Sequence, residues 1–192
     1  VSGSVVLGPA AAAFTMFATG STTGGTGNDY IAQTGGADTV VFIDNGGVDT
    51  ITAVTVTAGL LDFDSITGIA ADGVQLAANA ALVGDALDGE VYIFDDGTDG
   101  TGAEAIDFNG ANNDAGLNSA EVLADVASFL EAGLTEANGE TYVALINMTS
   151  GGGSDTYVAY LIDGDTDGID ANDLTLMGTI DADVELTAAE IV

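Results

Sequence analysis

This chain has thirty-one aspartates and glutamates and not one lysine, arginine or histidine. Ordinary soluble domains carry roughly a quarter charged residues, of both signs. Here 16% are charged and every one is negative, so no side chain can form a salt bridge or grip a phosphate. A formal charge of -31 spread over 192 residues repels itself and opposes compaction. Positive charge must come from outside the chain, and hard, oxygen-seeking metal ions are the expected source.

High net charge alone would predict a disordered polymer. The chain is nevertheless 47% hydrophobic, with a positive mean hydropathy, which is enough apolar material for a packed core. Its length fits one domain or two small ones. Cysteine is absent, so disulfides and thiolate metal sites are excluded. Without cysteine and histidine the usual zinc, copper and haem ligands are missing too. Carboxylates, amides and backbone carbonyls remain, and these are the ligands of calcium. Nucleic acid is excluded as a partner because Lys and Arg supply most of that affinity. Insertion into a membrane is not expected, since no apolar run reaches 18 residues. The chain begins at Val1 rather than methionine, which points to a processed or truncated N-terminus.

Three segments follow from the pattern. Residues 1–20 form an apolar arm with Pro9 inside it; it reads either as a first strand on the core or as a strand that docks on a neighbouring subunit. Residues 21–66 are glycine-rich and periodic. The triplets Asp29-Tyr30-Ile31, Asp38-Thr39-Val40 and Asp49-Thr50-Ile51 recur at spacings of nine and eleven, each after a cluster of glycines. That is a turn and a short strand, repeated. Leu61 to Ile66 alternates apolar and acidic residues as a half-buried strand would. Residues 67–192 read as a β-rich domain with one amphipathic helix at 118–132 and an acidic C-terminus. Asn118 and Glu121 fit a capping box, and Val122, Leu123, Val126, Phe129 and Leu130 share one face. Strands are expected at 90–94, 141–148, 156–162 and 174–177. Acidic stretches at 95–99 and 112–114 read as turns.

Two constellations carry chemistry. Gly24-Gly25-Thr26-Gly27-Asn28-Asp29-Tyr30-Ile31-Ala32 fits the nonapeptide G-G-x-G-x-D-x-U-x. Glycines allow the turn and aim carbonyls inward, the aspartate adds a charged oxygen, and the apolar residue enters the core. Neighbouring turns share each ion, so one repeat cannot make a site. A degenerate copy, Gly35-Gly36-Ala37-Asp38-Thr39-Val40, follows. On these residues the chain resembles the RTX, or haemolysin-type calcium-binding repeat, family. The resemblance implies a short parallel β-roll, calcium held through Gly25, Gly27, Asp29, Gly36 and Asp38, type I secretion, and folding outside the cell. The second constellation is Asp163-Gly164-Asp165-Thr166-Asp167-Gly168-Ile169. Asp163, Asp165 and Asp167 stand at positions 1, 3 and 5 of an EF-type loop, with the Ile169 carbonyl at 7. Position 12 is Leu174 rather than glutamate, and Asp173 falls one residue short of it.

The expected fold class is therefore mainly β: short β-roll-like turns leading into a β-sandwich-like domain with one amphipathic helix. Catalysis is not expected. Nucleophilic triads need histidine or cysteine, Schiff-base and serine–lysine chemistry need lysine, and phosphoryl transfer loses its clamps. The expected function is a structural, secreted, calcium-dependent protein that self-assembles through bridging calcium, as a surface-layer or filament subunit, with a cell-surface anchor as a further partner. The alternative is the calcium-binding, type I secretion region of a larger exported adhesin or hydrolase.

Overall fold

The computed structural model describes residues 4–6, 13–16, 20–33, 38–54, 59–69, 74–78, 84–85, 89–95, 116–135, 140–148, 155–164, 168–183 and 185–192. They are mainly β. Seven short strands come first: β1 Ser4–Val6, β2 Ala13–Met16, β3 Ser21–Thr23, β4 Tyr30–Gln33, β5 Asp38–Val41, β6 Asp49–Val54 and β7 Gly59–Asp62. The odd-numbered strands form a four-stranded sheet, β1-β3-β5-β7, and the even-numbered ones enter an eight-stranded sheet, β2-β4-β6. Every pairing within this region is parallel. The chain thus alternates between two parallel sheets, which is the path of a β-roll. The triplets set this up: an Asp at the turn, a Tyr or Thr facing out, and an apolar residue facing in. Ile31 and Ile51 are register partners, and both are fully buried.

The remaining strands are β8 Val74–Ala78, β9 Gly84–Asp85, β10 Val91–Asp95, β11 Leu134–Thr135, β12 Thr141–Asn147, β13 Asp155–Asp163 and β14 Leu174–Ala182. The large sheet runs β2-β4-β6-β14-β13-β12-β10-β8, and β9 and β11 form a small pair of their own. β14 lies parallel to β6 and antiparallel to β13. Gly178 makes this junction possible. It is the register partner of Asp49, and a Cβ there would stand well inside 3.0 Å of the Asp49 carbonyl oxygen.

The middle of the large sheet, around β12 and β13, is buried on both faces. On one side, Val143 and Leu145 of β12 join Ile31, Val40, Ile51 and Leu61 between the two sheets. On the other, Tyr142, Ala144 and Ile146 pack against α1, Ala120–Gly133, through Val122, Val126 and Leu130. Near-continuous burial along β12 follows from this three-layer arrangement. The helix N-cap is Ser119, not Asn118: its extended backbone and its Oγ, which accepts from Val122 N–H at 3.3 Å, close the first turn. Glu121 therefore falls at the second helical position, too early for a capping box. The strand expected through Ile66 ends at Asp62, whose Oδ1 accepts from Asp64 N–H and turns the chain. The chain ends against β7, where Ile191 bridges Leu61 in parallel and Val192 N–H donates to Leu61 O. The acidic stretches at 96–99 and 112–114 lie outside the described residues.

Candidate cation site in the stacked glycine turns

The turn before β4 and the turn before β6 lie one on the other. Asn28 Oδ1 accepts from Val48 N–H at 2.9 Å, and Thr50 N–H donates to Asp29 O at 2.7 Å. Asp29 N–H donates to Asp49 Oδ1 at 2.9 Å. Glycine is required at two points. Gly25 has φ +84 and Gly47 φ +92, values that side chains rarely adopt. A Cβ on Gly47 would also collide with the Gly27 carbonyl, so that oxygen faces directly into the next turn.

Two carboxylates converge on this stack. A Cβ on Gly24 would lie 3.1 Å from Asp29 Oδ2 and closer still to Asp49 Oδ2. Asp29 is 3% exposed and Asp49 6%. Burial raises the Asp49 pKa from 3.8 to about 6; the Asp29 N–H hydrogen bond opposes that rise and the Asp29 charge adds to it. A cleft of about 280 Å³ opens beside the pair, bounded by Gly24, Gly46, Phe42, Leu161 and Met177. Two carboxylate oxygens facing one spot, in a stack of turns where the Gly27 carbonyl faces Gly47, suit a hard cation. Among the described residues no group of three or more acidic side chains is placed around one point, so carbonyl oxygens would have to complete any shell.

The structure therefore pairs Asp29 with Asp49, not with Asp38. Successive turns of a roll fall at opposite edges, so alternate turns stack, and Asp38 opens β5 in the other sheet. Asp38 is wholly buried, and neither carboxylate oxygen accepts a hydrogen bond of ordinary geometry. Burial pushes its pKa up, and the neighbouring Gly20 backbone N–H offsets part of the rise. Gly25 and Gly27 are in place in the stacked turn, whereas Gly36 lies outside the described residues. Asp49 is the partner that local reading misses. Its signal is the recurrence of Gly-Gly and Asp-x-apolar one full circuit of the roll later.

The second constellation looks different. Asp165 and Asp167 lie outside the described residues. Asp163 is exposed at the end of β13, where its Oδ1 accepts from Thr141 Oγ1 at 3.3 Å and its N–H donates to Asp173 O at 3.0 Å. Asp173 Oδ2 accepts from Asp170 N–H at 2.7 Å, and the Ile169 side chain belongs to the core beside α1. These bonds are those of a tight acidic turn. Gly168, at φ +104, is approached by Glu131 of α1. Comparison with family models, with curated proteins and with solved structures finds no match to the chain.

Proposed function

We propose that this is a non-catalytic structural protein of the cell surface or extracellular space, whose β-roll folds on calcium and whose copies assemble into a surface layer or filament. The observation that carries the reading is the convergence of Asp29 and Asp49 on Gly24, in a chain with no cationic side chain to neutralise them. Asp29 and Asp49 would hold the ion, with the carbonyls of Gly25 and Gly27 as neutral ligands. When bound, calcium supplies the positive charge that the sequence lacks. Asp38 and the loop from Asp163 to Asp173 are further candidates on the same chemistry.

The effect of such an ion is large on the scale of a domain's stability. A ligand that binds only the folded state adds roughly 2.7 kcal/mol per site at a hundredfold excess over its Kd. Domain stability totals roughly 5–15 kcal/mol. One or two ions therefore add about 3–5 kcal/mol, a large share of that total, and a chain with this charge would be less stable and less compact where calcium is scarce than where it is plentiful. The lack of any lysine or arginine also removes every cleavage site for trypsin-like proteases, which suits an exposed structural protein.

The test is circular dichroism and hydrodynamic radius on the same sample in EDTA and in millimolar calcium, followed by electron microscopy. The expected result is a larger radius, less β signal and a lower denaturant midpoint in EDTA, a compact, more stable β-rich chain in calcium, and ordered polymers at high concentration. Identical spectra and radii would sink the calcium reading. A calcium-compacted chain that stays monomeric favours a secretion region of a larger exported protein.

A further inference from the structure

The edges of the large sheet say how copies would join, if the assembly reading holds. Following the pairings, β2, β4, β6 and β14 point one way, β13 points back, and β12, β10 and β8 point forward again. The two outermost strands, β2 and β8, therefore run in the same direction at opposite ends of one sheet. Among the described residues no strand pairs on the outer side of either. In the other sheet β1 is also outermost, but Ile191 bridges to the opposite edge strand, β7, so that sheet does not offer two open ends to a head-to-tail continuation.

Both of these edges lie in stretches of the chain that carry no acid. No acid stands between Val1 and Asn28, the stretch that holds β2, and none between Gly73 and Gly84, the stretch that holds β8. All 31 acids lie elsewhere, so most other contacts between copies would set like charges together. Natural edges are commonly protected by lysine or proline within the strand. Here lysine is absent, and the one proline, Pro9, lies between β1 and β2.

We propose that β8 of one copy adds in parallel to β2 of the next, continuing the eight-stranded sheet from molecule to molecule. The occupant of each edge is a second copy of this chain. Matching strand direction means that a head-to-tail arrangement extends the parallel pairing already made by β10 with β8 and by β2 with β4. Such a contact uses two different surfaces, so it does not close at two copies and builds a larger ring or an open chain according to the rotation between neighbours.

Two edge-charged variants of the full chain test this, Thr15→Glu on β2 and Gln75→Glu on β8, by sedimentation velocity in calcium. Wild type is expected to grow with concentration. Each variant alone is expected to stay monomeric at about tenfold higher concentration. Mixed one to one, they keep one intact edge of each kind and are expected to give a heterodimer and nothing larger. Each must melt as wild type does; otherwise Ala13→Glu or Ala77→Glu replaces it. The inference is overturned if either variant grows like wild type, if one dimerises alone, or if the mixture stays monomeric. Growth of wild type together with both variants would leave assembly standing through another surface. Wild type that never grows removes the assembly reading as well, while calorimetric titration of calcium reads the Asp29–Asp49 site independently of either result.

Discussion

Asp29 donates its backbone N–H to Oδ1 of Asp49, 2.9 Å away and twenty residues further along the chain. One carboxylate oxygen thus ties two turns of the roll together, while Oδ2 of each residue approaches Gly24. The bond partly offsets burial, but the Asp49 pKa still rises to about 6.

That rise fixes the pH response of the metal-free protein. Folded Asp49 holds its proton more tightly than the unfolded chain does, so between about 3.8 and 6 the native state carries more protons. Stability therefore falls as pH rises through this window and is greater below it. After allowance for solvent screening the gain on acidification is about 1–2 kcal/mol. Urea melts in EDTA should show a higher midpoint at pH 5 than at pH 7. In calcium the trend should flatten or reverse, because a bound cation favours the ionised carboxylate.

Asp49→Asn keeps an oxygen for the Asp29 N–H and removes one of two facing charges. In EDTA the variant should be as stable as wild type or more so, by about 1 kcal/mol. In calcium it should lose affinity by about tenfold or more, read by calorimetric titration. Lower stability in EDTA would mean that the pair is held by contacts other than those described.

Gly178→Ala tests the seam between roll and hairpin. The new methyl group would meet the Asp49 carbonyl, a backbone atom that cannot rotate away. A loss of about 2–3 kcal/mol is expected, with or without calcium. Denaturant melts read it directly, and an unchanged midpoint would show that β14 can stand off from β6.

Tyr160→Phe probes the second core. The Tyr160 hydroxyl is buried and donates to Leu117 O at 2.9 Å, which pins the chain just before α1. Burial holds its phenol well above the usual range. Removing the hydroxyl should cost about 1–2 kcal/mol, since the carbonyl loses its donor. Near-ultraviolet dichroism should change around the helix while calcium binding is unaffected.

Much of the architecture was legible in the sequence. The Asp-x-apolar triplets marked β4, β5 and β6, because an inward isoleucine or valine after an acidic turn has few other uses. Apolar runs at 141–148 and 156–162 on either side of a glycine-rich turn marked β12 and β13, and apolar spacing placed α1 to within two residues. The stacking partner was not legible locally. Asp38 is nearer to Asp29 in sequence, but the chain crosses to the other sheet between them, and only the full circuit brings Asp49 back. Nor does any local signal place β14 beside β6. That contact depends on Gly178 having no side chain, and a glycine in an apolar run reads simply as a weak spot in a strand.

The position of β14 has a mechanical corollary. It sits in the middle of the large sheet, flanked by β6 from the first third of the chain and by β13 from the last. The early circuits cannot peel away without tearing the sheet at its centre, so heat or denaturant should undo both halves in one event. Folding would wait correspondingly for a distant segment to arrive, which makes a slow, all-or-none folder of a chain whose first strands are local and repetitive.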